Sequence, residues 1–181
     1  MLEKTNIILA LYVAAEKAFS GLFAEHPDEH FYYCTIVMAE GGSPCISAQS
    51  EESLRSYLKE NNVSDDDILD YKWSWADSDY CAFGYDEYFG EVSDMFEDSF
   101  RAVLDDDRKF ELKYKEWFDA METVMKMLDK NGIFGVGSDR ESVFVYAEES
   151  PPDDEFESQY RERAKRMNPP AVYEKWLAEQ P

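Results

Sequence analysis

The chain has 181 residues, enough for one hydrophobic core, and is 44% apolar and 15% aromatic, a composition that excludes a disordered polymer. Eighteen Lys and Arg against forty Asp and Glu give a formal net charge of −22. A field of that sign repels phosphate backbones and anionic lipids, so nucleic acid and membrane surfaces are poor partners and a basic protein is the expected one.

The first element expected is an amphipathic helix over residues 3–25, with Ile7, Leu11, Ala14, Ala18 and Leu22 at steps of three and four. Its apolar run from Ile7 to Ala15 lacks a basic leader and is soon broken by Glu16 and Lys17, so no export or membrane segment is expected. Phe31 to Ala39 is rich in β-branched and aromatic residues. With Gly41-Gly42 and the short run Cys45 to Ala48 it predicts a hairpin. Ser50, followed by Glu51 and Glu52, has the form of an N-cap with acids in the first helical turn, and Asn61-Asn62 closes that helix. Ile68 to Ala76 alternates Tyr71, Trp73 and Trp75 with polar residues, which predicts a strand. Helical spacing resumes over 87–104. It is clearest over 109–131, where Trp117, Met121, Val124 and Leu128 share a face and Gly132 stands ready to end the helix. These two helices are expected to pack antiparallel. Ser142 to Ala147 reads as a last strand, residues 148–155 as an acidic linker containing proline, and residues 156–167 and 171–179 as two short helices.

The fold class expected is α+β, a small mainly antiparallel sheet covered by helices in a single domain. Residues 1–150 form the body, and 151–181 supply a linker and helices that pack on it. Strand order and oligomeric state are not written in the pattern.

No catalytic motif is present: the chain has no GxSxG elbow and only two histidines to partner a nucleophile. His26, His30 and Cys34 are spaced as metal ligands, but Pro27 breaks the helix that would align them, so no zinc is expected and residues 26–30 read as a solvated turn. Asp65 to Asp67 and Asp105 to Asp107 lack the alternation of a calcium loop and read as helix flanks. The glycines at 132, 135 and 137 follow a helix and precede a strand, the reverse of a phosphate-binding loop, so no cofactor is expected. The cysteines Cys34, Cys45 and Cys81 are an odd set without a CxxC pair, as suits reduced thiols in a cytoplasmic protein.

The binding candidates lie in one aromatic and acidic segment: Trp73, Trp75, Asp77, Asp79, Tyr85, Asp86 and Glu87. Rings beside carboxylates can make a face for Lys and Arg through ion pairing and cation–π contact, but the first reading of most of these rings is core, since strand alternation already buries half of them. Residues 51–107 carry eighteen acids against four bases, so the excess charge is concentrated there. Arg161, Arg163, Lys165 and Arg166 make the last part of the chain locally basic.

The N-terminal amphipathic helix, Phe31-Tyr32-Tyr33, the helix begun at Ser50, Trp73-Ser74-Trp75 and Asn168-Pro169 together resemble a bacterial family known as domain of unknown function 4303. That resemblance covers nearly the whole chain and supplies no catalytic residues. Members of the family resemble small acidic proteins encoded near polymorphic toxins, which implies an immunity protein that neutralises a basic toxin domain. Two other readings compete: a small enzyme or ligand-binding protein with an aromatic pocket near Trp73 and Trp75, and a regulatory or structural subunit.

Overall fold

The computed structural model describes residues 2–39, 42–151 and 156–180. In chain order the elements are α1 (Leu2–Glu25), β1 (Phe31–Ala39), β2 (Cys45–Ser50), α2 (Glu51–Asn61), α3 (Ile68–Lys72), α4 (Tyr85–Tyr88), α5 (Gly90–Arg101), α6 (Asp107–Lys130), β3 (Phe144–Ser150), α7 (Glu157–Met167) and α8 (Pro170–Ala178). The fold is α+β, a three-stranded sheet of order β2-β1-β3 covered by helices. β1 and β2 form the antiparallel hairpin, while β3 arrives parallel to β1 after the long helical crossover.

Register assigns the sheet two different faces. Cys34, Ile36, Met38, Ile46, Ala48, Val145 and Ala147 point to one side and join the larger core under α1 and α6. The helical stripes account for this layer: Ile7, Leu11, Ala14, Ala18 and Leu22 of α1, and Trp117, Met121, Val124 and Leu128 of α6, are all buried. α6 packs chiefly on α1. It also meets α5 in antiparallel order, Phe100 against Phe110 and Tyr114, Phe96 against Trp117. Within Lys4–Glu25, α1 holds an 18-residue stretch with a mean hydropathy of 1.6, enough by length and composition alone to cross a membrane even with Glu16 and Lys17 in it. In this fold its apolar stripe lies against protein.

The opposite face alternates differently: Tyr33 and Thr35 of β1, Ser47 and Gln49 of β2, and Phe144, Tyr146 and Glu148 of β3. A register irregularity between Phe31 and Tyr33 lets the consecutive Tyr32 and Tyr33 both enter the second core, with Leu54, Phe144, Tyr146, Val172, Tyr173 and Trp176. α7 and α8 close this layer, so the C-terminal helices pack on the same sheet as the body.

Residues 68–76 are not a strand. A 3-10 turn at Asp65–Asp67 leads into α3, and the chain then runs in turns from Trp73 to Gly84. Acids at Asp65, Asp66, Asp67 and Asp70 favour the start of a helix, where backbone N–H groups are unsatisfied. The alternating rings are used across the sheet instead of within it: the segment lies on β2, with Ala82 N–H donating to the Ile46 carbonyl at 2.9 Å and Ser78 Oγ donating to the Ala48 carbonyl. The supposed linker is also corrected at its start, because Glu148, Glu149 and Ser150 complete β3. Residues 152–155 of that expected linker lie outside the described residues.

Candidate functional site

The segment singled out for binding is divided by the fold. Trp73 is part of the second core, its ring edge-on to Tyr32 at 5.5 Å, Tyr33 at 5.8 Å and Phe144 at 5.6 Å. Trp75 packs against the same cluster, and its carbonyl accepts from Ser47 Oγ at 2.7 Å. Asp77 accepts from Ser74 Oγ at 2.6 Å and from Tyr57 OH at 3.1 Å, which ties the turn to α2. Tyr85 shares a hydrogen bond with the Ser43 hydroxyl at 2.6 Å and stacks on Phe89. Four of the seven candidates therefore hold the fold together. Asp79, Asp86 and Glu87 are exposed.

Those three carboxylates belong to a segment, residues 51–107, with eighteen acids against four bases. Three of the four cations within residues 51–107 are already engaged: Arg55 with Glu52, Lys72 with Glu179 at 2.8 Å, and Arg101 with Asp98 at 2.6 Å. The basic run of α7 does not reach this segment. Arg163 contacts Glu122 and Asp119 of α6 and lies 3.5 Å from the centre of the Phe118 ring, and Arg166 pairs with Glu122 at 2.9 Å. Burial raises the Glu122 pKa, but hydrogen bonds from Arg166 and Lys126 and the charges of Lys126 and Arg163 outweigh it and hold the carboxylate ionised below its ordinary range. Arg140 is likewise consumed, bonding Asp129 at 2.5 Å and the Met167 carbonyl at 3.0 Å. Charge is therefore paired on the α6–α7 seam, while residues 51–107 hold an excess of carboxylates along the chain.

A family model described as a domain of unknown function (DUF4303) matches residues 11–169 of the 181. The chain belongs to the DUF4303 family. No curated protein and no solved structure matches it. The short motifs that carried the resemblance have structural work in this DUF4303 protein: Tyr33 and Trp73 build the second core, Ser50 caps α2, and Asn168 sits on the open edge of β3.

A second grouping was not legible in the DUF4303 sequence. His26 and Glu29, expected in a solvated turn, are half-buried and joined by Tyr80 from far along the chain. Tyr80 OH lies 2.5 Å from Glu29 Oε1 and 3.2 Å from His26 Nδ1, and Ser50 Oγ donates to Glu29 Oε2. The trio His26, His30 and Cys34 is not assembled: His30 turns to Glu52 at 3.0 Å, and Cys34 is buried in the first core. Among the described residues no three of His, Cys, Asp and Glu are grouped to hold a metal ion. The aspartates at 65–67 form the turn before α3, and Asp106 caps α6 by accepting from Lys109 N–H at 3.1 Å. Gly132, with φ of +81°, takes the left-handed backbone that ends α6. Cys45 has its thiol pKa pushed up to about 12, by burial first and then by Cys81 and Glu148 nearby, which disfavours a nucleophilic thiolate.

Proposed function

We propose that this chain is a cytoplasmic binding protein whose acidic surface, carried by residues 51–107, captures a basic protein partner. One observation carries the reading: Arg140, Arg163 and Arg166 are held in ion pairs with carboxylates of α6, while Asp79, Asp86 and Glu87 stand exposed in a segment with eighteen acids against four bases. Charge arranged in this way accelerates encounter with an oppositely charged partner and makes association sensitive to salt. The three free cysteines fit a reducing compartment. The likeness of this family to small acidic proteins encoded near polymorphic toxins makes a basic toxin domain the first partner to test, with this chain as its immunity protein.

The test is to identify the neighbouring gene and, with the basic toxin domain expected there, to measure stopped-flow association over a series of salt concentrations. The parent is compared with the triple variant Asp79→Asn, Asp86→Asn, Glu87→Gln. Asp77 is left intact because it braces the turn through Tyr57 and Ser74. The association rate is expected to fall by roughly tenfold at low salt, with a flatter salt dependence, because rim charges act mainly on encounter. Identical rates and slopes for parent and variant would remove this surface from the binding role.

A further inference from the structure

Phe23, Phe31, Phe134 and Val143 wall a cleft of about 220 Å³ whose polar side is formed by His26 and Glu29. The ring walls are themselves fixed by packing: Phe23 meets Phe31 at 4.8 Å, and Phe134 stands edge-on to Phe19 at 5.0 Å. An open cleft walled by aromatic rings with a polar side has the mixed lining that fixes a small molecule by ring packing and one or two hydrogen bonds.

Hydrogen-bond accounting decides what the histidine offers. The Glu29 carboxylate only accepts, taking one bond from Ser50 Oγ at Oε2 and one from Tyr80 OH at Oε1. Tyr80 has one proton, and the 2.5 Å contact with Glu29 uses it. Burial, followed by the bond to Glu29, raises the Tyr80 pKa, so that proton stays on the phenol. His26 Nδ1 lies 3.2 Å from the Tyr80 oxygen, whose own proton is committed to Glu29, so it donates to that oxygen, with Glu29 Oε1 also 3.2 Å away. The neutral ring therefore carries its proton on Nδ1 and keeps a lone pair on Nε2, the remaining polar atom of a side chain that lines the cleft.

We propose that this cleft binds a free single-ring phenol, with its ring among Phe23, Phe31 and Phe134 and its hydroxyl donating to His26 Nε2. Size suits one ring: a cavity of about 150 Å³ holds benzene, and this cleft of about 220 Å³, open to solvent, takes a ring with small substituents. Chemistry selects the hydroxyl, because an aromatic hydrocarbon leaves Nε2 without a donor. The Glu29 carboxylate stabilises positive charge developing on the imidazole as it accepts that bond, and it repels an aromatic acid of the same size.

The experiment uses the full chain and compares p-cresol with toluene by calorimetric titration and by ring-nitrogen NMR. With two histidines in the sequence, His30 serves as the internal control. The free protein is expected to show His26 as the Nδ1–H tautomer. Adding p-cresol should move the His26 Nε2 resonance saturably and leave His30 in place. Toluene should bind about tenfold more weakly, the worth of one hydrogen bond in such a site. In His26→Ala the two ligands should bind alike, with far-UV circular dichroism and melting checking that the variant is folded. The proposal fails if His26 carries its proton on Nε2, if toluene and p-cresol bind equally to the parent, or if millimolar p-cresol produces no saturable shift. Tighter binding of N-acetyltyrosinamide than of p-cresol would assign the cleft to a tyrosine of a protein partner instead.

Discussion

Glu148 is the residue whose protonation matters most to the sheet. It stands on β3 beside Val37, and its carboxyl turns to the Tyr33 hydroxyl and the Thr35 side chain. Desolvation raises its pKa from 4.5 to about 7, while the bonds from Tyr33 and Thr35 pull the other way and fall short. The unfolded chain thus loses this proton near pH 4.5, and the folded chain keeps it to about 7. Between those limits the folded state binds more protons, so stability falls as pH rises and levels off above about 7. The residue is partly exposed, which keeps the effect on the order of 1–3 kcal/mol. Glu148→Gln should match the parent in urea unfolding near pH 5 and exceed it near pH 8; a difference that does not change with pH would contradict this account. Trp117 makes the complementary point in the other core. It is fully buried and donates from Nε1 to Ser99 Oγ at 2.9 Å. Trp117→Ala should cost about 3–5 kcal/mol, read as a fall in the denaturant midpoint, because both ring volume and a hydrogen bond are lost.

At the scale of elements, a three-stranded sheet has two edges that must be covered. The β2 edge is closed by the turns around Ser78 and Ala82. At the β3 edge one side chain pairs the Val145 backbone: Asn168 accepts from Val145 N–H and donates to the Val145 carbonyl, each at 2.7 Å, and also donates to the Ala164 carbonyl at 2.9 Å. Its amide thereby imitates a neighbouring strand while ending α7. Asn168→Ala should destabilise by about 1–3 kcal/mol and speed hydrogen exchange at Val145 before the rest of the sheet, since unpaired strand groups are left behind. Unaltered exchange at Val145 would show that water replaces the amide without loss. Ser50 joins two elements in a similar way. Its hydroxyl accepts from Ser53 N–H at 2.9 Å to cap α2 and donates to Glu29 in the turn before β1. Ser50→Ala should cost about 1 kcal/mol from the cap alone. A shift of the His26 ring signals in the same variant would report the loosened Glu29.

The whole molecule carries a formal net charge of −22, and fourteen of those excess negative charges fall within residues 51–107. Self-repulsion on that scale opposes the compact state, and salt screens it within about 10 Å at 0.1 M. The melting temperature at neutral pH should therefore rise with sodium chloride in the parent, and rise less in the triple variant Asp79→Asn, Asp86→Asn, Glu87→Gln. A melting temperature independent of salt would mean that the carboxylates are too far apart to repel. The sequence by itself determined the elements whose signals are local. Helical stripes in α1 and α6, the β1–β2 hairpin and the Ser50 cap follow from periodicity and from which residues satisfy orphan N–H groups. It determined the acidic balance as well, because net charge is a sum over residues and needs no geometry. Tertiary structure alone decided the rest. Alternation at Tyr71, Trp73 and Trp75 is as compatible with turns laid across a sheet as with a strand within it, and only the position of β2 and the second core selects between them. Asp77 and Asp79 are alike in sequence, yet Tyr57 and Ser74 turn one into a brace and leave the other in solvent. Tyr80 reaches His26 and Glu29 across more than fifty residues, and no local pattern encodes which ring nitrogen such a contact will protonate.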